Sequence, residues 1–155
     1  MKKSILSVAL LLGVFAAASP LHAQLANFQG SWNNTNSGTR SLVRLVIRGT
    51  QVHPYAACHP SPCDWGELDA VAYGPSVAAA VQRSAEALVA IRHTSFSVVI
   101  LMIEPSRNHD LKVSTFTRFT DNSGRAPYTV TEFFRRSAAP RGKLRPLVRE
   151  RLHRR

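Results

Sequence analysis

Short runs in which apolar and polar residues alternate constrain this chain more than any other feature. Leu42 to Arg48 is the clearest: Val43, Leu45 and Ile47 fall on one face, Arg44 and Arg48 on the other. That period of two is the mark of a half-buried strand. Trp65 to Tyr73 alternates in the same way, with Leu68, Ala70 and Ala72 opposite Glu67, Asp69, Val71 and Tyr73. Phe96 to Ile103 is apolar on both faces and β-branched, and is expected to be the most buried strand. Gly30 to Asn33, Gln51 to Ala57, Leu88 to His93, Leu111 to Phe119 and Tyr128 to Arg135 complete the set. Pro54 predicts an edge or bulge within its run.

Turn residues separate these runs. Asn34 to Gly38, Gly49-Thr50, Gly74-Pro75, Pro105 to Asp110 and Asp121 to Gly124 all carry turn chemistry. Ser76 to Glu86 is Ala-rich and fits either a short helix or the start of a strand. No alternation of strands with long helical patterns occurs. The fold class is therefore mainly β: an antiparallel meander of about eight short strands. The expected architecture is a small closed or partly open barrel, with a sandwich as the other arrangement.

The N-terminal segment reads differently. Lys2 and Lys3 precede an uncharged apolar run from Ile5 to Ala18, then Pro20 and Leu21-His22-Ala23. This is the pattern of a cleavable signal peptide over residues 1–23. Leu21 is larger than the residue usual three places before a cut. The alternative is an uncleaved anchor, but the run falls short of the roughly 20 residues a helical span needs. The expected location is periplasmic or secreted.

About 130 residues then remain, enough for one domain with a modest core. Their charge is unevenly placed. Gln24 to Phe134 holds nine basic and eight acidic side chains, whereas Arg135 to Arg155 holds nine basic and one acidic. The domain reading is a barrel-like body over 24–136 and a basic tail over 137–155 that has little to bury. Within the tail, Arg141, Lys143, Arg145, Arg149, Arg151, Arg154 and Arg155 are the candidate contacts to an anionic cell-envelope surface. A solubilising extension is the competing reading. Nucleic acid is the weakest target, because the tail lacks aromatic residues for base stacking.

Cys58 and Cys63 are the only cysteines. In an exported chain their default is a disulfide. So short a loop gains only about 2 kcal/mol from restricting the unfolded chain, so the bridge is expected to shape a loop. A metal site using Cys58, Cys63, His59 and His53 is the competing reading, though structural zinc prefers tighter cysteine spacing. The Cys-x-x-Cys spacing of redox pairs is absent.

Gly30-Ser31-Trp32 on the first strand resembles the Gly-x-Trp opening of lipocalin-like barrels, and Gly30 to Asn34 is similar to the opening of avidin-like barrels. The first resemblance implies that Trp32 closes the barrel bottom against an arginine, with Arg135 or Arg136 as the partner. The second implies a ligand contact at Asn34. Cys58-His59-Pro60 with Cys63-Asp64-Trp65-Gly66, and the later Thr117 to Asp121 and Ser123 to Arg125, look like small exported bacterial domains with no established activity.

No nucleophile elbow, zinc-protease, phosphate-loop or dinucleotide signature occurs in the sequence. No cofactor or metal is expected. His59 with Asp64 could form an acid–base pair on the cysteine loop, or a turn-stabilising hydrogen bond. Trp65 could floor a pocket or anchor the loop in the core. Arg44 and Arg48 could hold an anion, or pair across the sheet with Glu67 and Asp69. The leading expectation is a non-enzymatic binding module for a small apolar ligand or a protein partner, with Trp32, Asn34, His59, Asp64 and Trp65 as candidate contacts. The alternatives are a small exported enzyme using His59 and Asp64, and an eight-stranded outer-membrane barrel.

Overall fold

A computed structural model describes residues 25–138. The signal segment and the tail contacts from Arg141 to Arg155 lie outside those residues. Two one-turn helices and nine strands form: α1 (Leu25–Phe28), β1 (Gly30–Asn34), β2 (Leu42–Arg48), β3 (Gln51–Ala56), β4 (Cys63–Asp64), β5 (Leu68–Tyr73), α2 (Val81–Ser84), β6 (Ala87–His93), β7 (Ser97–Pro105), β8 (Leu111–Phe119) and β9 (Tyr128–Arg136). All strand pairs are antiparallel.

The order around the sheet is β2-β1-β9-β8-β7-β6-β5-β3, and β2 pairs again with β3. The sheet therefore closes into an eight-stranded up-and-down barrel, with β4 added at the side. Closure leaves no unpaired main edge, which removes the usual hazard of a small all-β domain. β3 pairs with β2 along its whole length. On its other side it meets β5 at Gln51 and Val52, and β4 at Tyr55 and Ala56. Pro54, which has no N–H to donate, falls where β3 changes partner.

One end of the barrel is plugged. Phe28 and Trp32 are buried there, and the Trp32 indole N–H donates to the Phe28 carbonyl at 2.8 Å. The Arg136 guanidinium lies over the Trp32 ring, 4.3 Å from its centroid, and donates to the carbonyls of Asn27 (2.8 Å) and Gln29. The partner of Trp32 is thus Arg136; Arg135 instead reaches toward Asp110. Gly30 carries φ +119, and a Cβ there would stand 2.8 Å from Arg136 Nη1. Glycine at this position satisfies both the backbone and the clasp. Leu45, Ile47, Val52, Leu88, Leu101, Ile103, Leu111, Val113 and Phe134 fill the space above the plug.

Three expectations are corrected. The register of β2 shifts between Leu42 and Arg44, so Leu42, not Val43, joins Leu45 and Ile47 inside. A bulge of this kind inserts one residue and reverses the phase beyond it. Second, β7 is not buried on both faces: Ser97, Val99, Leu101 and Ile103 point inward, while Ile100 is 37% exposed on the outer wall. Ile91 on β6 and Phe116 on β8 flank it in register and are also exposed. Third, Arg44 and Arg48 form no ion pairs with Glu67 and Asp69. Arg44 lies over the Tyr55 ring at 3.9 Å, and Asp69 accepts from Gln51. The Ala-rich segment resolves into the single turn of α2 and a fully buried Ala85.

Candidate functional site

The interior changes character along the strands. On β8, Leu111 and Val113 face the core near the plug, and Thr115 and Thr117 continue the same inward phase toward the other end. On β9, Phe134 is followed in that phase by Glu132, Val130 and Tyr128. The plugged half is therefore apolar and the open half carries hydroxyls, an aromatic and a carboxylate.

The open half holds a cavity of about 620 Å³. Thr115, Thr117, Val130, Tyr128, Trp65 and Glu132 contribute to its walls, and the β1–β2 loop roofs one side through Asn36 to Ser41. Its rim is made by the four loops 35–41, 57–67, 94–96 and 120–127.

Glu132 holds the roof loop. Its Oε1 accepts from Asn34 Nδ2 at 2.8 Å and from the Thr39 hydroxyl, and Oε2 accepts from the Leu42 backbone N–H at 3.3 Å. Asn34 also donates to the Leu42 carbonyl, and its own side-chain oxygen accepts from the Asn36 N–H. The asparagine and glutamate together thus fix where the loop leaves and rejoins the wall. Every donor to Glu132 is neutral.

Trp65 sits opposite. It is half-buried, packs against the core cluster, and its backbone N–H donates to the Pro54 carbonyl at 3.1 Å. The Arg92 guanidinium lies over its ring at 4.9 Å. Arg92 faces inward: its register partner Val99 is buried, while its neighbours Ile91 and His93 are exposed. The sequence offered two roles for Trp65, pocket wall and loop anchor, and the geometry gives it both.

The cysteine loop is closed by the Cys58–Cys63 disulfide, with Cα atoms 5.4 Å apart. Among the described residues no three His, Cys, Asp or Glu side chains gather as a metal site. The expected His59–Asp64 pair does not form. Asp64 pairs on β4–β3 with the neighbourhood of His53 instead, and its Oδ1 lies 2.5 Å from His53 Nε2 while accepting from the Gly66 N–H at 2.7 Å. The Gly66 bond, then the His53 bond, holds the Asp64 carboxyl below its ordinary value. His53 stacks on Tyr55 at 4.6 Å, outside the barrel. His59 is exposed and lines a separate groove between the disulfide loop and the β1–β2 loop.

Of the five expected ligand contacts, only Trp65 reaches the cavity wall. Trp32 is 1% exposed in the plug, which removes it from any ligand's reach. Asn34 is committed to the loop, and Asp64 and His59 lie elsewhere. Thr115, Thr117, Tyr128, Glu132 and Arg92 escaped the sequence reading. The signal that finds them is a polar residue in phase with core positions: Thr after Val113, and Glu before Phe134.

The far rim carries a second cluster. Arg125 lies over Phe119 at 3.7 Å and pairs with Asp121 at 2.5 Å. Hydrogen bonds from Ser123, and then Arg125, hold the Asp121 carboxyl below its ordinary value. Compared with known protein families, curated proteins and solved structures, the chain matches none.

Proposed function

We propose that this protein is a non-enzymatic binding module that takes a small ligand into the open end of its barrel. The observation that carries this reading is the cavity of about 620 Å³ above a plugged, apolar half. Ligand sites of roughly 300–1,000 Å³ with a few convergent polar groups are typical of β-barrel mouths. The lining mixes an aromatic platform with hydroxyls, so the ligand is amphipathic rather than purely apolar. The Gly-x-Trp resemblance to lipocalin-like barrels supports the same use of the fold.

The protein acts outside the cytoplasm, in the periplasm or secreted. The signal-like pattern of residues 1–23 and the disulfide both support this. The basic tail after Ser137 attaches the module to an anionic envelope surface. The outer wall bears Arg44, Arg48, Asp69, Lys112 and Arg118, which favours a barrel bathed in water over one facing lipid.

Thermal-shift screening of small amphipathic compounds, with hits mapped by NMR, tests the reading. Compounds that stabilise the fold and perturb the amides of Thr115 and Thr117 support it. A ligand at 100 times its Kd adds about 2.7 kcal/mol. A screen whose hits all map to the outer wall, or that yields none, overturns it.

A further inference from the structure

Two charged side chains at inward strand positions of the open half, Arg92 and Glu132, have no charged partner among the described residues. The described residues form three ion pairs, Lys112–Glu104, Arg125–Asp121 and Arg135–Asp110, and the His53–Asp64 contact. Neither Arg92 nor Glu132 takes part in one. Both are half-buried. Arg92 touches the Trp65 ring, and Glu132 touches three neutral donors. A carboxylate offers about four acceptor positions, so the Oε2 side of Glu132 keeps capacity for a further donor.

Burying unpaired charge is unfavourable unless something compensates it. Here the two charges are of opposite sign and stand on different walls. Glu132 is on β9 and Arg92 on β6, with β7 and β8 between them. At about 4.8 Å per strand step, the wall separates their backbones far more than the ammonium and carboxylate of one amino acid are separated. Trp65, Tyr128, Thr115 and Thr117 line the cavity together with Glu132, and Arg92 adjoins it through the Trp65 ring that it covers. Arg40 also lines the cavity, from the exposed roof loop, and adds a second cation at the rim.

We infer that the mouth binds a short zwitterionic peptide, its free amino terminus at Glu132 and its free carboxylate at Arg92. An extended chain of two or three residues spans about 7–10 Å, which suits charges held on separate walls. A guanidinium recognises a carboxylate through paired N–H donors, and its stacking on Trp65 fixes the plane of the fork. A carboxylate with a free acceptor position takes an ammonium in a charge-assisted hydrogen bond. This inference rests on the mouth being a ligand site, and it names the class of ligand.

The test offers the disulfide-bonded protein a randomised tripeptide pool in three forms: free, N-acetylated and C-amidated. Retained peptides are counted by mass spectrometry. The free pool should be retained at least tenfold over either capped pool. Glu132→Gln should erase the preference against the acetylated pool and keep the preference against the amidated one. Arg92→Gln should do the reverse. Equal retention of all three pools by the unsubstituted protein overturns the inference, and that comparison needs no variant to fold. Nile Red, a neutral dye read through Trp65 fluorescence, runs in parallel. If it enters the mouth while no tripeptide is held, the peptide inference fails and the binding module stands. If neither binds, both fail.

Discussion

Arg136 lies over the indole of Trp32 and joins the last strand of the barrel to the segment that precedes the first. The exposed guanidinium sits 4.3 Å from the centroid of the Trp32 ring, which is itself almost fully buried. One cation thus satisfies two backbone carbonyls and covers an aromatic face.

Arg136→Ala should destabilise the protein by about 2 kcal/mol, since hydrogen bonds to charged groups contribute about 1.5–3 kcal/mol. Arg136→Lys should recover only part, because an ammonium cannot span both carbonyls while lying flat on the ring. Gly30→Ala should also destabilise, through its positive φ and the collision with Arg136. Urea unfolding followed by Trp32 fluorescence measures all three. Unchanged midpoints would show that the plug does not depend on the clasp.

Glu132→Ala should free the β1–β2 loop while leaving the barrel closed. Three hydrogen bonds are lost, and the expected penalty is about 1–3 kcal/mol. Hydrogen exchange should accelerate at Thr35 to Leu42 and stay slow at Leu101 and Val113. Uniform acceleration across the barrel would place Glu132 in global stability instead of loop anchoring.

Asp64 supplies a pH dependence. Its carboxyl is held below the ordinary 3.8 by the Gly66 N–H and by His53. A lowered carboxyl contributes stability that is fully present above the unfolded-chain value and is lost as pH falls through the folded value. The gap in thermal midpoint between the wild-type protein and Asp64→Asn should therefore be open at about pH 6. It should narrow below about pH 4 and close as the carboxyl protonates. A gap that persists in strong acid would assign the effect to shape.

Leu101→Ala and Ile100→Ala, neighbours on β7, should differ sharply. Leu101 is fully buried, and its truncation should destabilise by about 2–5 kcal/mol. Ile100 is exposed on the outer wall, and its truncation should stay within about 0.5 kcal/mol. Chemical denaturation of the two variants decides it. Equal losses would mean that the outer wall is covered in solution.

That contrast also shows what a sequence of this kind makes legible. The strands and their turns were readable because side-chain period and turn chemistry are local properties. That Leu68, Ala70 and Ala72 share one face is legible for that reason, and the barrel turns that face inward. The phase of Val43 was not, because a bulge is set by pairing with β3 and leaves no local mark. The apolar outer side of β7 looked buried because hydrophobicity alone does not say which wall faces water. The site was harder still. Asp64 was matched to His59, near in sequence, when the sheet register brings it to His53. Glu132 on β9 and Arg92 on β6 face one interior only because the sheet closes on itself.

Closure also fixes where the two ends of the described chain lie relative to the mouth. Leu25 enters beside the plug, and the Ser137 N–H bonds back to the Ser31 carbonyl, so both ends of the described chain leave from the same face. The mouth lies at the opposite pole. A barrel tethered by either end would stand like a cup on its base, with its rim turned outward.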